Sequence, residues 1–173
     1  MRPVLFVCTG NIFRSVIAEH ALRNELGPCS EYNVSSAGIV AEPARMWPAL
    51  VARMQARGLD ATGHLQRALR PYMLDGALVI AMGEDHRDYL RVHAGRSVML
   101  YDEAALGRCT PIRDVHEAIP DWRRRPEETR AYVEQVVDHI CEATPALAQN
   151  LPALWPETPD DRVTVSVETR FIA

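Results

Sequence analysis

The chain has 173 residues, 47% of them hydrophobic and 24% charged, with 19 basic against 23 acidic side chains and a net charge of -4. That suits one globular domain, able to bury roughly 70% of its unfolded surface without a disulfide or metal staple. The weakly acidic balance argues against nucleic-acid or membrane-surface binding driven by bulk charge, and no apolar run nears the ~20 residues of a membrane span.

Met1-Arg2-Pro3 leads straight into Val4-Leu5-Phe6-Val7, an apolar run of strand type with no signal-peptide pattern before it. The four cysteines (Cys8, Cys29, Cys109, Cys141) show no CxxC spacing. Neither a zinc site nor a disulfide framework is expected, and a reducing cytoplasm fits. After the first strand, Ile17, Ala18, Ala21, Leu22 and Leu26 follow helical spacing up to Gly27-Pro28. Tyr32 to Ala37 reads as a second strand closed by Gly38. Pro48 opens a helix whose stripe is Leu50, Val51 and Met54, and which ends at Gly58.

Ala77 to Met82 is continuously apolar, as in a strand buried on both faces. A short helix is expected over Glu84 to Val92 and a fourth strand over Val98 to Tyr101. Pro126 begins the clearest helix, with Val133, Val136, Val137 and Ile140 on one face. Alternating strands and helices predict a three-layer α/β fold: a four-stranded, mostly parallel, twisted sheet with helices on both faces. Pro145, Pro152, Pro156 and Pro159 suggest a break. The expected organisation is therefore a domain over 1–144 and a C-terminal extension over 145–173, in which Val163, Val165 and Val167 alternate as one extra strand.

Chemistry concentrates in Cys8-Thr9-Gly10-Asn11-Ile12-Phe13-Arg14-Ser15. A cysteine ends a buried strand, and six residues later an arginine opens a helix. Inward-pointing backbone N–H groups of Thr9 to Ser15 and the helix dipole would make an anion cradle. Arg14 offers a planar fork for two phosphate oxygens. The same field favours a thiolate, and a thiolate beneath a bound phosphate is an in-line nucleophile. A bare C-x5-R pattern arises often by chance, and a strand-end cysteine is usually a small buried hydrophobe. Here the pattern follows a strand, opens a helix and carries Gly, Asn and Ser inside it.

Residues Val7 to Glu19 resemble the phosphate-binding loop of low-molecular-weight protein tyrosine phosphatases, in which this motif also stands at the extreme N-terminus. The likeness continues through Ser36-Ala37-Gly38, Gly58-Leu59-Asp60 with His64, Ala81-Met82 followed by His86, and Ile119-Pro120-Asp121-Trp122. It covers residues 2–144. It implies Cys8 as nucleophile of a phosphocysteine mechanism, Arg14 as phosphate binder, and Ser15 as hydrogen-bond donor to the thiolate. It also implies Asn11 as the residue that holds the loop's shape, supported by Ser36 and His64. No metal or cofactor is implied. The family's general acid lies in an Asp-Pro pair before the last helix. Asp121 takes that place in this reading, with Asp114 and Glu117 as rivals.

The sequence departs from the family. Asp121 is followed by Trp122 rather than Pro, Phe13 stands where many members carry a second loop cysteine, and Val16 replaces a common Pro. Ile12 matches the aliphatic residue that goes with phosphotyrosine in this family, whereas threonine there goes with the arginine-phosphatase branch. Trp47 and Trp122 are expected to wall a deep pocket for an aromatic ester, and Arg123-Arg124-Arg125 beside it to favour acidic substrates. The partner implied is a phosphotyrosine protein, by analogy a bacterial tyrosine kinase; the Arg- and Ala-rich composition suggests a bacterial source. Two alternatives share the fold. A thioredoxin-coupled arsenate reductase needs two closely spaced extra cysteines, and none lies between residues 80 and 95. A phosphocysteine carrier lacks the loop arginine and the acid.

Overall fold

The computed structural model describes residues 1–155. Four strands, β1 (Arg2–Cys8), β2 (Tyr32–Gly38), β3 (Leu78–Ala81) and β4 (Met99–Leu100), pair in parallel in the order β2-β1-β3-β4. Among the described residues there are six α-helices: α1 (Arg14–Leu26), α2 (Pro48–Ala56), α3 (Glu84–Ala94), α4 (Tyr101–Leu106), α5 (Val115–Ala118) and α6 (Pro126–Leu154). β1 is central because its side chains are apolar on both faces. Val4, Phe6 and Cys8 join the larger core with residues of α1, α2, α4 and α6; Leu5 and Val7 join a smaller core with Leu74, Val79 and Leu90. Since all strands are parallel, their C-terminal ends share one edge. Cys8, Gly38 and Ala81 lie together there, the place where open α/β sheets bind ligands.

Two expectations are corrected. The fourth strand is only two residues long, and Tyr101 begins α4 instead of ending β4. Tyr101 is fully buried, and its hydroxyl donates to Ile140 O at 2.9 Å, which ties α4 to α6. The expected break at Pro145 is absent, since α6 runs through Pro145 to Leu154. An interior proline costs about 3 kcal/mol through its lost hydrogen bond and ring clash. Burial of Leu147 and Leu151 on the same stripe as Ile140 and Thr144 outweighs that cost, since each fully buried Leu is worth roughly 1.5–3 kcal/mol. The expected strand at Val163, Val165 and Val167 lies outside the described residues. Among those described, no helix is long and apolar enough to cross a membrane.

Candidate active site

The loop from Cys8 to Arg14 turns tightly enough that Asn11 adopts φ 53°, a left-handed conformation that asparagine tolerates better than most residues. Three neighbours hold it there. Arg67 N donates to Asn11 Oδ1 at 2.8 Å, His64 Nε2 lies 2.9 Å from Asn11 O, and Asn11 Nδ2 donates to Ser36 Oγ at 2.7 Å. Gly38 at the end of β2 is needed because a Cβ there would stand 2.6 Å from Thr9 O and 2.9 Å from Asn11 N. The supporting residues named from sequence, Ser36 and His64, are thus both at the loop. Burial keeps the His64 imidazole below its ordinary pKa.

Cys8 is buried, with Sγ 2.9 Å from Ser15 Oγ. The direction of that bond depends on whether sulfur carries a hydrogen. Asn11 Nδ2 donates to Ser15 Oγ at 3.1 Å, which leaves the Ser15 hydrogen free to donate to Cys8 when sulfur is a thiolate. Behind Asn11 the chain continues: Ser36 Oγ donates to Glu19, and the buried Glu19 carboxylate is paired with Arg23 at 2.7 Å and with Arg67. Two guanidiniums thus fix a carboxylate, which orients Ser36, then Asn11, then Ser15. The sequence reading missed Glu19 and Arg67. Glutamate on the apolar face of α1 was the available signal, because a charge almost never sits fully buried unless it is paired.

Arg14 is 1% exposed. Its Nη1 donates to Ile112 O at 2.8 Å and its Nη2 to Asp114 Oδ2 at 2.7 Å. Its Nε is buried without a protein partner among the described residues, a donor that an oxyanion in the loop would satisfy. Nη2 also reaches Thr9 Oγ1 at 3.4 Å, and Thr9 Oγ1 lies 2.9 Å from Nε2 of the buried His86. His86 Nδ1 faces Asp85 Oδ1 at 3.2 Å, off the line of a good hydrogen bond. A lone pair so close to a carboxylate would be repelled. Nδ1 therefore carries the proton, and Nε2 accepts from Thr9. Burial first, and Arg14 second, push the His86 pKa down to about 3, so the ring is neutral beside the guanidinium.

The carboxylates separate clearly. Asp114 reaches the loop through Arg14, and Glu117 Oε2 lies 3.9 Å from Arg14 Nη1. Asp121 is exposed in a left-handed turn, and its side chain makes no hydrogen bond or ion pair among the described residues. Of the two candidate acids, the geometry brings Asp114 into contact with Arg14 and gives Asp121 no such contact among the described residues. The physical reason lies at the sheet edge: Ile112 N bonds Met82 O just past β3, which carries residues 112–114 across the ends of β1 and β3 onto Arg14. Trp47 and Trp122 do come together, with centroids 5.1 Å apart, and Trp47 stacks at 6.5 Å on Phe13 of the loop. All four cysteines are free thiols; Cys29 and Cys109 are exposed and Cys141 is half-buried.

A strand-loop-helix anion cradle with a buried cysteine and arginine now stands beside a carboxylate from a distant segment. Residues 3–154 match the model of the family described as low molecular weight phosphotyrosine protein phosphatase. The chain belongs to that family. A curated relative, "Arsenate reductase" of Bacillus licheniformis, is 30% identical over 152 residues, covering 86% of this chain and 96% of that protein. A low molecular weight protein tyrosine phosphatase from T. tengcongensis is 25% identical with a TM-score of 0.69, covering 86% of this chain and 99% of that one. The YwlE arginine phosphatase from Geobacillus stearothermophilus shares the fold at 24% identity and a TM-score of 0.71, covering 88% and 94%. The family match extends past the 144/145 boundary to the end of α6.

Proposed function

We propose that this phosphatase hydrolyses protein phosphotyrosine through a phosphocysteine intermediate. Cys8 is the nucleophile, Arg14 and the loop amides bind phosphate, and Asp114, in place of Asp121, is the general acid. The Cys8 thiolate attacks phosphorus in line. The P–S bond forms as the P–O bond to the aryl group breaks, and the departing oxygen takes its proton from the Asp114 carboxyl. The Asp114 carboxylate then removes a proton from water. Water oxygen attacks phosphorus, and sulfur leaves as a thiolate that Ser15 hydrogen-bonds. No metal or cofactor takes part in these steps.

The observation that carries this reading is the 2.7 Å contact between Asp114 Oδ2 and Arg14 Nη2, which brings a carboxyl to the guanidinium of the nucleophile's own loop. Phosphotyrosine is favoured over phosphoarginine by the aliphatic Ile12 and by the Trp47–Trp122 pair, which gives an aromatic ester apolar surface. Arsenate reduction is the second reading, favoured by the name of the 30% relative. It is disfavoured because relaying a disulfide would need closely spaced cysteines, and none lies between residues 80 and 95. The test compares a phosphotyrosine peptide, a phosphoarginine peptide and arsenate with thioredoxin. We expect turnover of the first, lost in Cys8→Ser. Faster turnover of phosphoarginine, or arsenate-dependent thiol oxidation, overturns the substrate assignment.

A further inference from the structure

The family's acid sits in an Asp-Pro pair, where proline stiffens the backbone, yet Asp114 is followed by Val115. Something else must hold the segment, and every residue of it is tied. Ile112 N donates to Met82 O at 3.0 Å, and Ile112 O accepts from Arg14. Arg113 O accepts from Tyr132 OH of α6 at 2.8 Å. At Asp114 a reciprocal pair closes the start of α5. Asp114 Oδ1 accepts from Val115 N at 2.7 Å, and Glu117 Oε2 accepts from Asp114 N at 2.5 Å. This is the Asp-x-x-Glu capping arrangement. It also divides the two carboxyl oxygens. Oδ1 is spent on the backbone N–H that a proline would lack, while Oδ2 accepts from Arg14.

We propose that Glu117 is a positioning residue that holds the general acid by accepting the Asp114 backbone N–H, doing here the work of the missing proline. The proposal rests on the reading of Asp114 as the acid. Truncating Glu117 frees the Asp114 N–H, loosens the first turn of α5 and lets the Asp114 χ1 wander. Proton delivery suffers, and any further effect through Arg14, whose Nη1 lies 3.9 Å from Glu117 Oε2, falls on good and poor leaving groups alike. Glutamine at 117 keeps an oxygen for that N–H, because the same cap forms with Gln.

The experiment measures kcat/KM, which reports the phosphorylation step, for phenyl phosphate and for 2,4-dinitrophenyl phosphate. The second leaving group departs as a stable anion and needs little help from an acid, so the ratio of the two isolates proton donation and cancels any loss of folded enzyme. In Glu117→Ala the phenyl ester should lose about tenfold more than the dinitrophenyl ester, in the same direction as Asp114→Asn but less severely. Glu117→Gln should stay within about threefold of wild type for both esters. If Glu117→Ala leaves the ratio unchanged while Asp114→Asn shifts it, Glu117 has no positioning role. A Glu117→Gln loss equal to that of Glu117→Ala makes Glu117 itself the proton donor and also overturns the proposal. If Asp114→Asn leaves the ratio unchanged, the acid assignment fails and the proposal falls with it.

Discussion

Asp114 Oδ2 lies 2.7 Å from Nη2 of Arg14, a residue one hundred positions earlier in the chain. The pair is built by the sheet: β1 delivers Arg14 and the segment beyond β3 delivers Asp114 to the same edge. A carboxyl donating to a tyrosyl oxygen contributes roughly 10²–10⁴-fold. Asp114→Asn should therefore lower kcat/KM for a phosphotyrosine peptide by about that much. Asp121→Asn should leave turnover close to wild type. Peptide hydrolysis by the two variants, side by side, checks this; the reverse pattern restores Asp121.

Ser15 should matter nearly as much as the acid, but to a different step. Its hydroxyl accepts from Asn11 and lies 2.9 Å from Cys8 Sγ, placed to donate to the thiolate. A hydrogen bond to a charged partner is worth about 1.5–3 kcal/mol, or roughly 10–100-fold. Ser15→Ala withdraws that support when sulfur must leave phosphorus. Breakdown of the phosphocysteine should become rate-limiting, and rapid-quench kinetics should show a larger burst of phenol than in wild type. A proportional fall with no burst would assign Ser15 to attack alone.

His86 makes stability depend on pH in a defined sense. Its folded pKa is about 3, whereas an unfolded imidazole titrates near 6.5. Between those values the unfolded chain binds one more proton than the folded chain. The sign follows: stability is highest above the unfolded value and falls as pH drops from about 6.5 toward 3. His86→Gln removes this titration, so the difference in urea midpoint between variant and wild type should shrink as the solution is acidified. A difference independent of pH would mean that His86 titrates alike in both states.

The sequence carried the loop in full, because strand, glycine, asparagine, arginine and helix lie consecutively and each has a local physical role. It carried the parallel sheet too, since Val4–Val7 and Ala77–Met82 are apolar on both faces. The acid was harder. Pro120-Asp121-Trp122 looked right locally, whereas the claim of Asp114 rests on Ile112 bonding Met82, a long-range register that no spacing announces. The partners of Glu19 were hidden for the same reason: Arg67 comes from a separate loop. Pro145 misled differently. A strong local rule met a stripe (Ile140, Thr144, Leu147, Leu151) that continued through it, and burial won.

Arg123 lies over the Trp122 ring at 4.9 Å, and Trp122 in turn packs against Trp47 and, through it, Phe13 of the loop. The column fixes one guanidinium at a set place relative to the phosphate cradle. Arg123 is exposed, so its interaction with an acidic residue of a bound peptide is screened by salt and worth about 0.2–1 kcal/mol. Arg123→Glu should raise KM several-fold for a phosphotyrosine peptide with neighbouring acidic residues, more strongly at low ionic strength, and leave KM for p-nitrophenyl phosphate unchanged. Trp122→Ala should raise KM for both, since it removes apolar surface that any aryl ring would use. If Arg123→Glu moves both substrates equally, the guanidinium acts by supporting Trp122 and not by reading the peptide.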